Sequence, residues 1–416
     1  MTRPDLTVGQ GDCSVSGVAP RSDRSWAPFL VVVAAIVLAL AASGTPSPLY
    51  VDYQREWHLT PTVVTVVYAL YAGGVVVTLL LAGGLSDRLG RRPVLIGSLL
   101  VLLGALLLFL AAGSPVWLCA ARLVQGLATG VFTGAAGPAL ADLHPRRDAR
   151  VAALTNSTAT SLGIAGGAML AGALAEWAPA PQLTPYAVVA VAVVGVLCGV
   201  LAHVPAPAAS GGGQSRNLVR VQPIRVPRGI LAPFLIGVMG VVAAWSVGGL
   251  FLGLGGNLAQ NLLHVHNHLV IGLVILMVQG VGGVAQLLLR GLATVRATVL
   301  GCAALVVGMA LVALSIHLVD AAVFLIGCCA AGVGFGLTFM GSTRVVTEAA
   351  PARQMGEVLA AYFLIAYLAI SVPVMAAGAI ATRIGLTSSF YLFAAVMSVV
   401  AAATAVCAIA QVRRPA

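Results

Sequence analysis

The chain has 416 residues, 60% of them hydrophobic and 8% charged, with a mean hydropathy of +1.03. A soluble domain carries roughly 25% charged residues, so no water-exposed surface can be built from this composition. The formal net charge of +10 has a membrane explanation and does not call for nucleic acid as a partner.

The apolar residues fall in runs of about 20, the length that a helix needs to cross a hydrocarbon core. Stretches such as Val94 to Ala112 are apolar on every face, which disfavours the alternating pattern of a membrane β-barrel. Helices satisfy their own backbone and are the expected spanning element. The windows predict spans at 27–49, 62–84, 93–113, 115–139, 151–174 and 183–203. A second set follows at 229–255, 268–289, 297–315, 321–342, 357–381 and 388–411.

Residues 1–26 are polar and read as a cytoplasmic tail. Ala39 to Ala42 has the look of a leader cleavage site, but the apolar run continues past it as a full span, so retention is expected. Between spans 2 and 3 lies Gly83-Gly-Leu-Ser-Asp87-Arg88-Leu-Gly90-Arg91-Arg92. Gly83 and Gly90 permit close helix approach and a sharp turn. Asp87 can accept from a helix N-terminus of the opposite half, and Arg88 can pair with Asp142 at the end of span 4. Arginines alone would suffice to fix topology.

That loop resembles motif A of the major facilitator superfamily, and Arg122-Leu-Val-Gln125-Gly-Leu-Ala-Thr-Gly130 in span 4 resembles its motif B. The resemblance implies an all-α membrane protein of two pseudo-symmetric six-helix bundles, 27–203 and 229–411. It also implies a rocking cycle without ATP and without a cofactor. In that setting Gly83, Asp87, Arg88, Gly90, Arg91, Arg92 and Asp142 form a latch on the cytoplasmic side.

Arg122 lies roughly 10 Å into span 4 by helical rise. A charge there costs roughly 2.5 to 3.5 kcal/mol on insertion scales, so it faces a polar cavity or partner, or snorkels to the outer interface. Span 5 carries Asn156 and then Gly163 to Gly172, which resembles the export-associated motif C. Ala168 and Ala171 depart from that pattern, and Gly163, Gly167 and Ala171 form a small-residue face suited to packing. Further cavity candidates are Trp245, Gln279 and Tyr362. His264-Val-His266-Asn-His268 could bind a metal by spacing, but no carboxylate or cysteine lies nearby in sequence, and a solvated loop is favoured.

The segment 204–228 has linker composition. The halves echo each other, Arg92 to Gly97 with Arg296 to Gly301 and Pro145 to Arg147 with Pro351 to Arg353, as expected of a duplicated carrier. Of 22 arginines, 19 fall in segments on one side: the tail, the loops at 88–92, 146–150, 216–228, 290–296 and 344–353, and the 412–416 terminus. Only Arg55 and Arg383 lie opposite. The positive-inside rule then puts both termini in the cytoplasm, and a bacterial cytoplasmic membrane is the expected location.

None of the 12 acids is predicted at mid-membrane. Exporters of cations usually need a buried carboxylate, so a neutral or anionic amphiphile is the expected cargo, with Asp52, Glu56 and Glu176 as a proton relay near the outer mouth. Proton-coupled efflux by a monomer is the first reading; uptake of a sugar or organic acid is the second. No HExxH pair or Ser/His/acid set supports an embedded enzyme, and no metal ligand set is evident. The latch predicts that Asp87→Asn impairs transport while leaving membrane insertion intact, measurable by flux in proteoliposomes alongside expression level.

Overall fold

A computed structural model of the chain describes residues 25–82, 85–206, 226–264, 267–351 and 354–412. The expected tail residues 1–24, Gly83, most of the linker, His266, Arg353 and residues 413–416 lie outside it. Among the described residues, 12 helices are long and apolar enough to cross a membrane.

In the first half these are α1 (Ala27–Glu56), α2 (Pro61–Leu81), α3 (Arg91–Leu110), α4 (Pro115–Leu143), α5 (Val151–Trp177) and α6 (Thr184–His203). The second half has α7 (Arg228–Gln260), α8 (His268–Leu288), α9 (Thr294–Leu318), α10 (Ala321–Ala349), α11 (Met355–Ile384) and α12 (Leu386–Gln411). Several helices outrun their apolar windows, three of them by the most: α1 reaches Glu56 rather than 49, α7 reaches Gln260 rather than 255, and α10 reaches Ala349 rather than 342. Hydropathy falls where polar residues begin, but a helix stops only where its hydrogen-bond ladder is interrupted.

Within each half, neighbouring helices approach through small residues. Gly308 of α9 sits against the Ala331 backbone of α10, and Gly334 of α10 against Leu305 of α9. Such contacts replace the hydrophobic driving force that lipid removes. The duplication is visible in register. Arg91 at the start of α3 meets Asp142 at the end of α4, Nε to Oδ2 at 3.2 Å. Thr294 at the start of α9 meets Glu348 at the end of α10, Oγ1 to Oε1 at 2.7 Å.

The halves meet chiefly along two pairs, α2 with α11 and α5 with α8. The α5–α8 seam is lined largely by small residues and is crossed by a bond from Ser157 Oγ to Gln286 Oε1 at 2.7 Å. A Cβ on Gly272 would stand 2.9 Å from the Ala168 carbonyl, and one on Gly283 would stand 2.7 Å from Ser161 Cβ. Gly172 lies directly on the His268 backbone. Gly163 and Gly167 of the same helix point elsewhere, onto Val37 and Ala41 of α1. The motif C-like stretch therefore serves packing on two sides.

Overpacking a tight contact costs about 1 to 3 kcal/mol. Gly308→Val should accordingly lower the thermal unfolding midpoint in detergent by several degrees. Gly104→Val, where an added Cβ meets nothing within 4 Å, should leave it in place.

Candidate functional site

The centre of the first half is organised around an interruption of α1. The chain reads Ala42-Ser-Gly-Thr-Pro46-Ser-Pro48, and the helical ladder is interrupted at Thr45. Pro46 has no N–H to give the carbonyl four residues earlier. That carbonyl belongs to Ala42, and Gln125 Nε2 of α4 donates to it at 2.8 Å.

Arg122 occupies the adjoining space and is fully buried. Its Nε donates to Tyr50 Oη at 2.6 Å, and its Nη1 donates to the Ser43 carbonyl at 3.1 Å and to Gln125 Oε1 at 2.7 Å. Its Cζ lies 5.2 Å from the Tyr50 ring centroid, 5.7 Å from Tyr71 and 6.0 Å from Phe109. Neutral oxygens and π faces thus hold the cation, and no carboxylate pairs with it among the described residues. Nη2 is buried without a hydrogen-bond partner there. The snorkelling alternative is corrected: α4 begins at Pro115 and carries Arg122 into the bundle interior, where α1 supplies acceptors.

In the second half Trp245 of α7 packs on Phe339 at 5.4 Å and on Tyr367 at 5.1 Å between centroids, and its Nε1 has no partner. Tyr362 Oη is 3.2 Å from Thr343 Oγ1. Gln279 is buried in a π turn, Leu276–Gly280, that interrupts α8. Asn156 is half-buried on α5 near Gly137, so Arg122 and Gln125 share one network while Asn156 and the second-half candidates sit apart from it.

The latch segment forms a short helix, Leu85–Leu89, followed by Gly90 at φ +89°, a region that favours glycine. The Asp87 side chain lies outside the described residues. The expected Arg88–Asp142 pair is corrected, since the guanidinium on Asp142 is that of Arg91. Gly90 turns the chain between the two arginines, and Arg91 opens α3, whose first turn abuts the end of α4. Arg91 Nη1 also donates to Ser86 Oγ at 2.8 Å, and Arg92 Nη2 to the Leu201 carbonyl at 2.6 Å.

At the opposite end of the bundle, several polar contacts join the halves. Arg55 Nη2 donates to Gln260 Oε1 at 2.6 Å, and Thr62 Oγ1 lies 2.8 Å from Thr382 Oγ1. His268 lies against both Asp52 and Glu176. The relay set therefore divides: Asp52 and Glu176 converge on His268, whereas Glu56 takes a bond from Gln182 Nε2 at 2.6 Å. The solvated-loop reading is corrected for His268, which begins α8. Its carboxylate partners come from helices 92 and 216 residues away, so local sequence could not show them. Asn257 and Gln260 are also buried, and both amide atoms of Asn257 lack partners. Two amides in an apolar helix were the only sequence signal for them.

Twelve spanning helices in two halves, with a buried cation in one, define a multi-pass membrane transporter. The Major Facilitator Superfamily model matches residues 32–374, and the chain belongs to that family. No curated protein matches the chain. Among solved structures 290 chains match, one of them a mutant of the nucleoside transporter NupG. It aligns with a TM-score of 0.69 at 10% identity, covering 92% of this chain and all of that one; the likeness is one of fold.

Charge-assisted hydrogen bonds contribute about 1.5 to 3 kcal/mol. Tyr50→Phe should therefore destabilise the protein by that amount in thermal melts. Arg122→Lys should do no better, because an ammonium cannot reproduce the guanidinium fork.

Proposed function

We propose that this secondary transporter exports a small neutral or anionic amphiphile across a cytoplasmic membrane, driven by the proton gradient, with both termini in the cytoplasm. The observation that carries the reading is the charge state of Arg122. An arginine stays protonated in a protein, and here it keeps its full charge because only neutral groups hold it.

A fixed, uncompensated cation in low dielectric repels cationic cargo and favours an acceptor or an anion. Nη2, buried without a partner among the described residues, is the donor left for such a group once the helices move apart to admit it. Trp245, Phe339 and Tyr367 supply apolar and π surface in the second half for the rest of an amphiphile. Proton coupling is assigned to the titratable groups at the end opposite the termini, Asp52 and Glu176 first. The latch residues Asp87, Arg88, Arg91 and Asp142 act at the terminal end.

Everted vesicles or oriented proteoliposomes with an imposed pH gradient test the direction and the cargo together. Accumulation of neutral or anionic amphiphiles should require the gradient, and Arg122→Gln should lower uptake of an anionic member at least tenfold while affecting a neutral one less. Gradient-driven movement of a permanently cationic dye would overturn the cargo assignment. Flux in the reverse sense, with a sugar or organic acid, would establish uptake instead.

A further inference from the structure

His268 is bonded at both ring nitrogens. Nδ1 lies 3.2 Å from Glu176 Oε2, and Nε2 lies 2.9 Å from each oxygen of Asp52. The His268 backbone N–H donates to the same Glu176 oxygen at 2.9 Å. Asp52 and Glu176 end α1 and α5 of the first half, and His268 opens α8 of the second. The three side chains thus tie the halves together at the end opposite the termini.

A proton count follows from donor inventory. A neutral imidazole has one N–H, and an ionised carboxylate has none. With all three groups deprotonated, one ring nitrogen makes a hydrogen bond and the other sets its lone pair against a carboxylate. One added proton repairs that mismatch wherever it sits: on the ring, which then has two donors, or on one carboxyl, which then donates to the ring.

We propose that His268, Asp52 and Glu176 form a one-proton clasp, a site that takes a single proton from the medium at this face, joins the halves when filled and lets them part when empty. Its place in a transport cycle rests on the proposed function; the clasp itself does not. The neighbouring helices bring no competing cation. On α1, Arg55 is bonded to Gln260, Glu56 to Gln182, and Tyr53 to Tyr186. Tyr50 is bonded to Arg122, and His264 after α7 is exposed. Among the described residues only His268 forms an ion pair with Asp52 or Glu176.

The sign of the pH effect is fixed by what each state holds. Once parted into water, an imidazole loses its proton above about pH 6.5. Above that pH the joined state holds one more proton than the parted state. Each further pH unit then shifts the ratio toward the parted state by up to tenfold.

Spin labels at Thr60→Cys and Ile384→Cys report the gap, since both positions are exposed and flank the Thr62–Thr382 contact. The full chain, with its native cysteines replaced, is placed in lipid nanodiscs, and label distances are measured from pH 6.5 to 8.5 without substrate or gradient. The otherwise unaltered protein should show a short-distance population giving way to a long one, by up to tenfold per pH unit. Asp52→Asn supplies an amide N–H to Nε2 without an added proton, so this variant should stay joined throughout. His268→Ala should stay parted throughout.

A distribution that ignores pH, or an Asp52→Asn profile that follows the parent, would overturn the clasp. If His268→Ala does not fold, the Asp52→Asn arm decides. Because no flux is measured, failure of the transport assays would leave this result standing, and the reverse also holds.

Discussion

Inside hydrocarbon a peptide group has no water to bond, and every polar atom must find its partner within the protein. That constraint dictates twelve helices, and it also governs the polar side chains they carry. Thr78, Thr129 and Thr133 turn their hydroxyls back onto carbonyls three or four residues earlier. These groups are self-sufficient and need nothing from neighbouring helices. Arg122, Gln125 and His268 cannot be satisfied locally and draw their partners from other helices.

The break in α1 shows how such a residue is accommodated. Pro46 withholds an N–H from the Ala42 carbonyl, which becomes an acceptor for Gln125 of α4, and the neighbouring Ser43 carbonyl accepts from Arg122. The break in one helix and the polar pair Arg122–Gln125 in another meet each other's hydrogen-bonding needs. Neither would be tolerable alone, since the charge would lack acceptors and the carbonyls would lack donors. The local sequence around Pro46 and that around Arg122 are therefore one feature, though about 75 residues separate them.

The fold class was legible because it rests on composition and run length, which survive without knowledge of any contact. The span count, the division into halves and the special role of Gly90 followed from the same local signals. Partnerships were harder to read. Arg88 and Arg91 are equally plausible mates for Asp142 until the turn at Gly90 fixes which one opens α3. His268 looked isolated because its partners are distant in the chain and carry no pattern. Arg122 was visible as an anomaly in an apolar span, but its set of neutral acceptors was not, since a backbone carbonyl and a tyrosine hydroxyl of another helix leave no pattern beside the arginine. The amides at Asn257 and Gln260 passed unnoticed for the opposite reason, being uncharged and near a helix end.

The α5–α8 seam has a mechanical consequence. Surfaces that mesh knob into hole resist shear, because each knob must climb out before it can advance. Backbone lying on glycine and alanine offers no such teeth. Along this line the two halves meet few obstacles to rolling or slipping, as a journal turns in a smooth bearing. The resistance to motion along this seam is thereby concentrated toward the ends of its helices, in a few discrete polar catches such as Ser157 on Gln286 and Glu176 on His268.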